Sequence, residues 1–192
     1  MYKFSGMSDY RANAMNLRPA FIFLALLLPA GVLQADWREV LPDARPIGAG
    51  ELRILGFSIY GAQFWSSTQA LDAPLEMTAP FALELTYRRS ISREDLVSAS
   101  LKEIRRLATQ PLEPALLRRW EQEMRLAFVD VRAGDRITGV FLPGEGARFY
   151  AGSTLTHVVR DEAFARAFFA IWLDPRTRNP ALRAQLLGAA QP

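Results

Sequence analysis

The 192-residue chain has no cysteine, a single histidine and, among its 23 basic residues, only two lysines. Each shortage excludes a kind of chemistry. Without cysteine there is no disulfide framework and no thiolate nucleophile, so stability in an oxidising compartment has to come from packing. With His157 as the sole histidine, a zinc site built from His and Cys cannot form within one chain, and no metal or cofactor is implied. There is no G-x-S-x-G elbow, no phosphate-binding loop and no dinucleotide-binding glycine pattern, and Gly152-Ser153-Thr154 reads as a turn. The formal charge of +3 has no basic tract or stripe behind it, so a nucleic-acid partner is not expected. His157, near a strand end, is expected to hydrogen-bond locally rather than act as a base.

Long apolar runs are scarce too. The continuous run Ala20–Leu28 is far shorter than the ~20 residues a membrane-crossing helix needs. It matches the apolar core of a secretory signal, which follows a basic segment and spans about 7–15 residues. Leu17-Arg18 precedes it, and Pro29 and Gly31 break the helix just before a peptidase site. Residues 1–35 are therefore expected to be a signal peptide cut after Ala35, with Met15 an alternative start of ordinary signal length. No cysteine follows the run, so a lipid anchor is not expected, and no stable membrane span should remain after cleavage. The signal holds Lys3, Arg11, Arg18 and Asp9, which leaves 20 basic and 19 acidic groups on residues 36–192. That segment has 157 residues, no internal repeat and no long linker, the size of one domain with a sizeable core.

The patterning of that domain alternates between two periods. Residues 51–65 carry branched and aromatic residues, a strand pair or one bent strand with Gly56 and Gly61 at turns or bulges. In Phe81–Tyr87, Phe81, Leu83, Leu85 and Tyr87 alternate with Ala82, Glu84 and Thr86, which predicts a half-buried strand. Ser92 then caps a helix with Asp95 three residues on, and Val97, Leu101, Ile104 and Ala108 share one face until Pro111. Pro114 opens a second helix with Leu117, Trp120, Met124 and Ala127 on its face. Period two returns in a hairpin, Arg136–Leu142 and Ala147–Ala151 around Pro143–Gly146, with a further strand from Thr154 to Val159. Asp161 opens an almost wholly apolar helix to Leu173, and a short helix from Pro180 to Leu187 closes the chain. Strands and helices in separate groups predict an α+β fold, an antiparallel sheet packed against a layer of helices.

Few side chains stand out as binding groups. Phe57, Tyr60, Phe64 and Trp65 suit a core, and a pocket wall uses the same residues. Arg53 sits in an otherwise apolar strand and requires either a protein partner or a ligand carboxylate. Arg88-Arg89 reads as a solvated pair, and Phe168, Phe169 and Trp172 as helix-to-sheet packing.

Three segments carry a resemblance. Gly50–Trp65, Gly134–Gly144 and Ala167–Pro175 resemble chalcone isomerase-like domains, and more narrowly their bacterial exported branch, over nearly all of residues 36–190. The resemblance implies the fold named above and, with the signal, a periplasmic location, with release to the medium left open. The plant enzymes of this family add a phenolate to an enone using an arginine, hydroxyl groups and an asparagine. In this chain Tyr60 stands at the early threonine position, Asp95 or Leu96 at the tyrosine, Lys102 or Glu103 at the asparagine, and Phe168 near the late hydroxyl. Only Arg53 offers itself for the arginine. With most enolate-stabilising donors missing, chalcone isomerase activity is not expected. Non-catalytic relatives hold a fatty acid by its carboxylate, so the resemblance implies a site of Arg53, Tyr60 and Phe168 for a fatty acid or another apolar carboxylate. An envelope interaction or structural protein without a small ligand, and an isomerase of unknown substrate, are the other readings. Protein partners are not legible in the sequence.

Overall fold

The structure, a computed structural model, describes residues 36–67 and 77–188. The expected signal, residues 1–35, lies outside them. Within the described residues β1 (Arg45–Ile54), β2 (Phe57–Ser66), β3 (Phe81–Tyr87), β4 (Arg136–Leu142), β5 (Gly146–Ala151) and β6 (Thr154–Val159) form one antiparallel sheet in chain order. The connection from β3 to β4 carries α2 (Arg93–Leu107) and α3 (Pro114–Ala127), and β6 is followed by α4 (Glu162–Leu173) and α5 (Pro180–Leu186). A one-turn helix, α1 (Trp37–Val40), precedes β1. This is the antiparallel α+β arrangement that the alternating periods predict.

The helix starts follow from local chemistry. Ser92 Oγ accepts the Asp95 N–H (3.1 Å) and donates to Asp95 Oδ2 (2.6 Å), closing the first turn of α2. Asp161 Oδ1 accepts the Phe164 N–H (3.0 Å) at the start of α4. Pro114 occupies the first turn of α3, where a missing N–H costs nothing. Val97, Leu101 and Ile104 of α2 and Trp120, Met124 and Ala127 of α3 are buried, as their spacing requires.

Four helices cover one face of the sheet, where Phe64, Phe81, Phe141, Phe149, Phe164 and Phe169 are fully buried. Each such ring removes enough apolar surface from water to contribute roughly 1.5–3 kcal/mol. Gly139 of β4 makes room for this packing. A methyl group there would lie 3.0 Å from the Phe169 ring, so only a bare backbone lets α4 come this close.

Three expectations need correction. Phe81–Tyr87 is not half-buried, because Ala82 and Glu84 on its second face are also buried. A second cluster of Trp37, Leu41, Ala82, Val140 and Tyr150 covers that face, built around α1, which is too short to show a period. Gly61 is not at a turn; it lies inside β2, opposite Glu51 and Thr86, and the turn is Leu55-Gly56. His157 does not bond locally, since its Nε2 is 2.6 Å from Oε2 of Glu123 on α3.

Candidate functional site

The inner face of the sheet is filled at one end and hollow at the other. A cavity of about 470 Å³ lies between β1–β4, α2 and α4. Its floor is Leu52, Tyr60, Leu85, Tyr87 and Ile137, and Phe168, Ile171 and Trp172 of α4 form one wall. The opposite wall is a stripe of α2: Leu96, Ala99, Ser100 and Glu103, at i, i+3, i+4 and i+7. This stripe lies beside the buried one, and its small central residues leave the space that larger side chains would have closed. Among the lining residues Ile54, Asp95, Ala99 and Arg178 are themselves exposed, and they mark the rim.

The polar atoms in this apolar space are few. The Trp172 indole N–H donates to the Tyr60 hydroxyl (2.9 Å), which leaves the hydroxyl its own proton to give to a ligand. Burial pushes the Tyr60 phenol up to about 12, against the opposing effect of the Trp172 bond. Tyr87, edge-on to Tyr60 with ring centroids 6.0 Å apart, is raised further, by burial first and by Tyr60 second. Both phenols are therefore neutral donors at physiological pH, not phenolate bases. At the rim Glu103 lies between two guanidinium groups, with Arg178 Nε 2.7 Å from Oε1 and Arg106 Nε 2.8 Å from Oε2. Two cations share one carboxylate there. Arg178 is half exposed (56 %), so part of its donor fork faces outward beside the cavity.

The structure brings Tyr60 and Phe168 together in this cavity and leaves Arg53 out of it. Arg53 pairs with Ser58 across the β1–β2 ladder, on the strand face that carries Glu51. Its Nε bonds Glu51 Oε2 (2.7 Å), and Glu51 also accepts from Ser58. Hydrogen bonds from Ser58 and Arg53 hold the Glu51 carboxyl below its usual range. The partner that Arg53 requires is thus a protein carboxylate. Of the positions aligned by the resemblance, Asp95, Leu96 and Glu103 also line the cavity, and Lys102 does not. Arg178 and Ser100 were not singled out from the sequence. Arg178 lies in a polar loop with no periodicity, and Ser100 looks like any helix-surface serine. Among the described residues no group of three His, Asp or Glu side chains is placed to hold a metal ion.

The family model described as chalcone isomerase-like matches residues 48–188, most of the chain and every element that builds the cavity. The chain belongs to the chalcone isomerase-like family. A crystal structure of a fatty-acid binding protein from Arabidopsis thaliana has a similar fold, with a TM-score of 0.59 over 76% of this chain and 87% of that one. At 11% sequence identity the likeness is one of fold. No match was found among curated protein sequences. In this chalcone isomerase-like chain the site between sheet and helices is lined by apolar side chains and two neutral phenols, with Asp95, Glu103 and Arg178 at the rim.

Proposed function

We propose that this chalcone isomerase-like protein is exported, its first 35 residues acting as a cleaved signal, and that it binds a fatty acid or similar apolar carboxylate without transforming it. The observation that carries the reading is the apolar cavity of about 470 Å³, with few polar groups inside it and with Glu103 and Arg178 at its rim. Its volume falls within the about 300–1,000 Å³ typical of small-molecule sites. The acyl chain lies against Leu52, Leu85, Ile137 and Phe168, and the carboxylate takes hydrogen bonds from the Tyr60 hydroxyl or from Arg178. A reaction of the family's known kind lacks support here, because the phenols remain protonated and Glu103 is engaged by two arginines. The periplasm is the compartment that fits an exported protein free of cysteine.

Native mass spectrometry of the purified protein tests the reading. A co-purifying acyl acid should survive Arg53→Ala. It should be weakened about tenfold or more by Arg178→Ala, the cost of losing one charged hydrogen bond. An empty protein that also ignores added fatty acids would sink the proposal.

A further inference from the structure

Among the described residues the exposed large apolar side chains are Ile54, Leu55, Phe57, Leu126, Val129 and Leu155. They are not scattered. The meander brings the β1–β2 turn, the end of β3 and the β5–β6 turn to one end of the sheet. The Thr156 hydroxyl donates to the Ala127 carbonyl (2.6 Å), which fixes the end of α3 there as well. All six residues therefore lie at one end of the sheet, Ile54, Leu55 and Phe57 at its β1–β2 edge and Leu126, Val129 and Leu155 toward its β6 edge. The cavity rim reaches that same end at Ile54, which both lines the cavity and is 53% exposed.

The β1–β2 turn is the most exposed part of this surface. Ile54 pairs with Phe57, so Leu55-Gly56 is a two-residue loop, with φ of 50° at Leu55 and 83° at Gly56. Positive φ at both positions is the type I′ requirement, met best by Asn-Gly. A leucine is strained there. Its side chain is also 93% exposed, so it stabilises nothing within the fold. A residue that opposes its own backbone and packs on no neighbour is placed for contact outside the molecule.

The charge around the tip narrows that contact. Arg53 is exposed beside it, and the Arg88 N–H bond to the Ile59 carbonyl (2.9 Å) holds the end of β3 alongside, so that the exposed Arg89 follows there while the Arg88 guanidinium turns back over Gly61. The acid of this hairpin, Glu51, is paired with Arg53. Across the same end Asp130 and Asp135 accept from the backbone N–H groups of Arg93 and Arg132. An apolar tip flanked by Arg53 and Arg89 matches a bilayer surface, where the tip enters the acyl region and the arginines meet phosphates. No described helix is long and apolar enough to cross a membrane, so contact through this tip would be peripheral.

We infer that the Ile54–Phe57 hairpin tip docks the protein on an anionic phospholipid bilayer and sets the cavity rim against it, so that an apolar ligand passes between bilayer and cavity without crossing water. The transfer half of this inference rests on the fatty-acid reading of the cavity; the docking half does not.

The double variant Leu55→Asn/Phe57→Thr tests it, because asparagine suits the turn and threonine suits the strand. The protein as its host produces it is floated with vesicles of phosphatidylethanolamine and phosphatidylglycerol, and is titrated with the fluorescent fatty acid cis-parinaric acid in vesicle-free buffer. The wild type should float. The double variant should partition at least about tenfold more weakly, as loss of two inserted apolar side chains requires, with a melting temperature no lower than wild type and unchanged parinarate affinity. Leu55→Trp should partition more strongly than wild type. A wild type that ignores vesicles, or a double variant that binds them equally, overturns docking. So does a wild type that forms a dimer through the tip, lost in the variant, with neither protein floating. Tip-dependent flotation with no parinarate binding by either protein would keep the docking surface and sink the carrier reading instead.

Discussion

Two halves of one sheet face are built from the same elements and end differently. In the filled half β2, β3, β4 and α4 contribute Phe64, Phe81, Phe141 and Phe169, packed with neighbouring ring centroids 4.9–6.0 Å apart. In the hollow half the same four elements contribute Tyr60, Tyr87, Ile137 and Trp172 around the cavity. Phenylalanine has no polar atom to satisfy and closes on its neighbours. Tyrosine and tryptophan bring a hydroxyl and an indole N–H that need partners, and here they partner each other at 2.9 Å while the space beside them stays open. One helix and three strands thus serve as solid core at one end and as cavity wall at the other, where Phe168 lies beside the polar rings.

The largest expected effect comes from breaking the filled half. Phe169→Ala should cost about 3–5 kcal/mol in urea unfolding, because a fully buried ring leaves a cavity its neighbours cannot close. Ile171→Ala, half-buried on the cavity wall, should cost clearly less. Equal costs would mean that the hollow half is filled in solution. Next in size, Tyr60→Phe should lose about 1–3 kcal/mol by leaving the Trp172 indole N–H without its acceptor, whereas Tyr87→Phe should stay within about 1 kcal/mol. If the two Tyr variants unfold alike, the Trp172–Tyr60 bond does not organise the wall.

The smallest effect concerns α4, which both halves share. Burial raises the Asp161 carboxyl, but the Phe164 N–H, the Trp120 indole and Arg119 outweigh that and hold it below its usual range. A carboxyl lowered in the folded state adds stability above its unfolded pKa of about 3.9, and that stability is lost as pH falls through the folded value. Asp161→Ala should therefore cost about 0.5–2 kcal/mol near neutral pH as a lost cap, with the gap to wild type closing below about pH 4. Acid titration of unfolding for both proteins checks it. A gap independent of pH would show that the carboxylate charge is not what holds the helix start.

Much of the fold was legible because its cues are local. Ser92 with Asp95, Pro114 and Asp161 mark helix starts within one turn, and Val97, Leu101 and Ile104 announce a face by spacing alone. The second face of β3 was not legible. Ala82 and Glu84 alternate like solvent-facing residues, and only the short α1, arriving from 40 residues upstream, buries Ala82 among Trp37, Val140 and Tyr150. The site was half legible. Tyr60 and Phe168 sit on elements whose apolar faces point inward, so a correct strand and helix assignment carries them to the same cavity.

Arg53 follows the same logic in the other direction. Alternation along β1 sets it with Glu51 and gives Leu52 and Ile54 to the cavity face, because the extra residue at the register shift lies in β2. The irregular pairing puts it opposite Ser58, and its i, i+2 spacing gives it Glu51. Arg178, 125 residues later and in a loop without period, stands at the rim instead. The sequence by itself determined the elements, their order and the faces they bury, because capping and periodicity act within a few residues. Only the tertiary structure decided that the α2 stripe, small at Ala99 and Ser100, stands over Tyr60, Tyr87 and Ile137 and leaves a cavity, and which arginine lies at its rim. Both depend on the register of strands and on contacts between segments far apart in the chain, which no local pattern encodes.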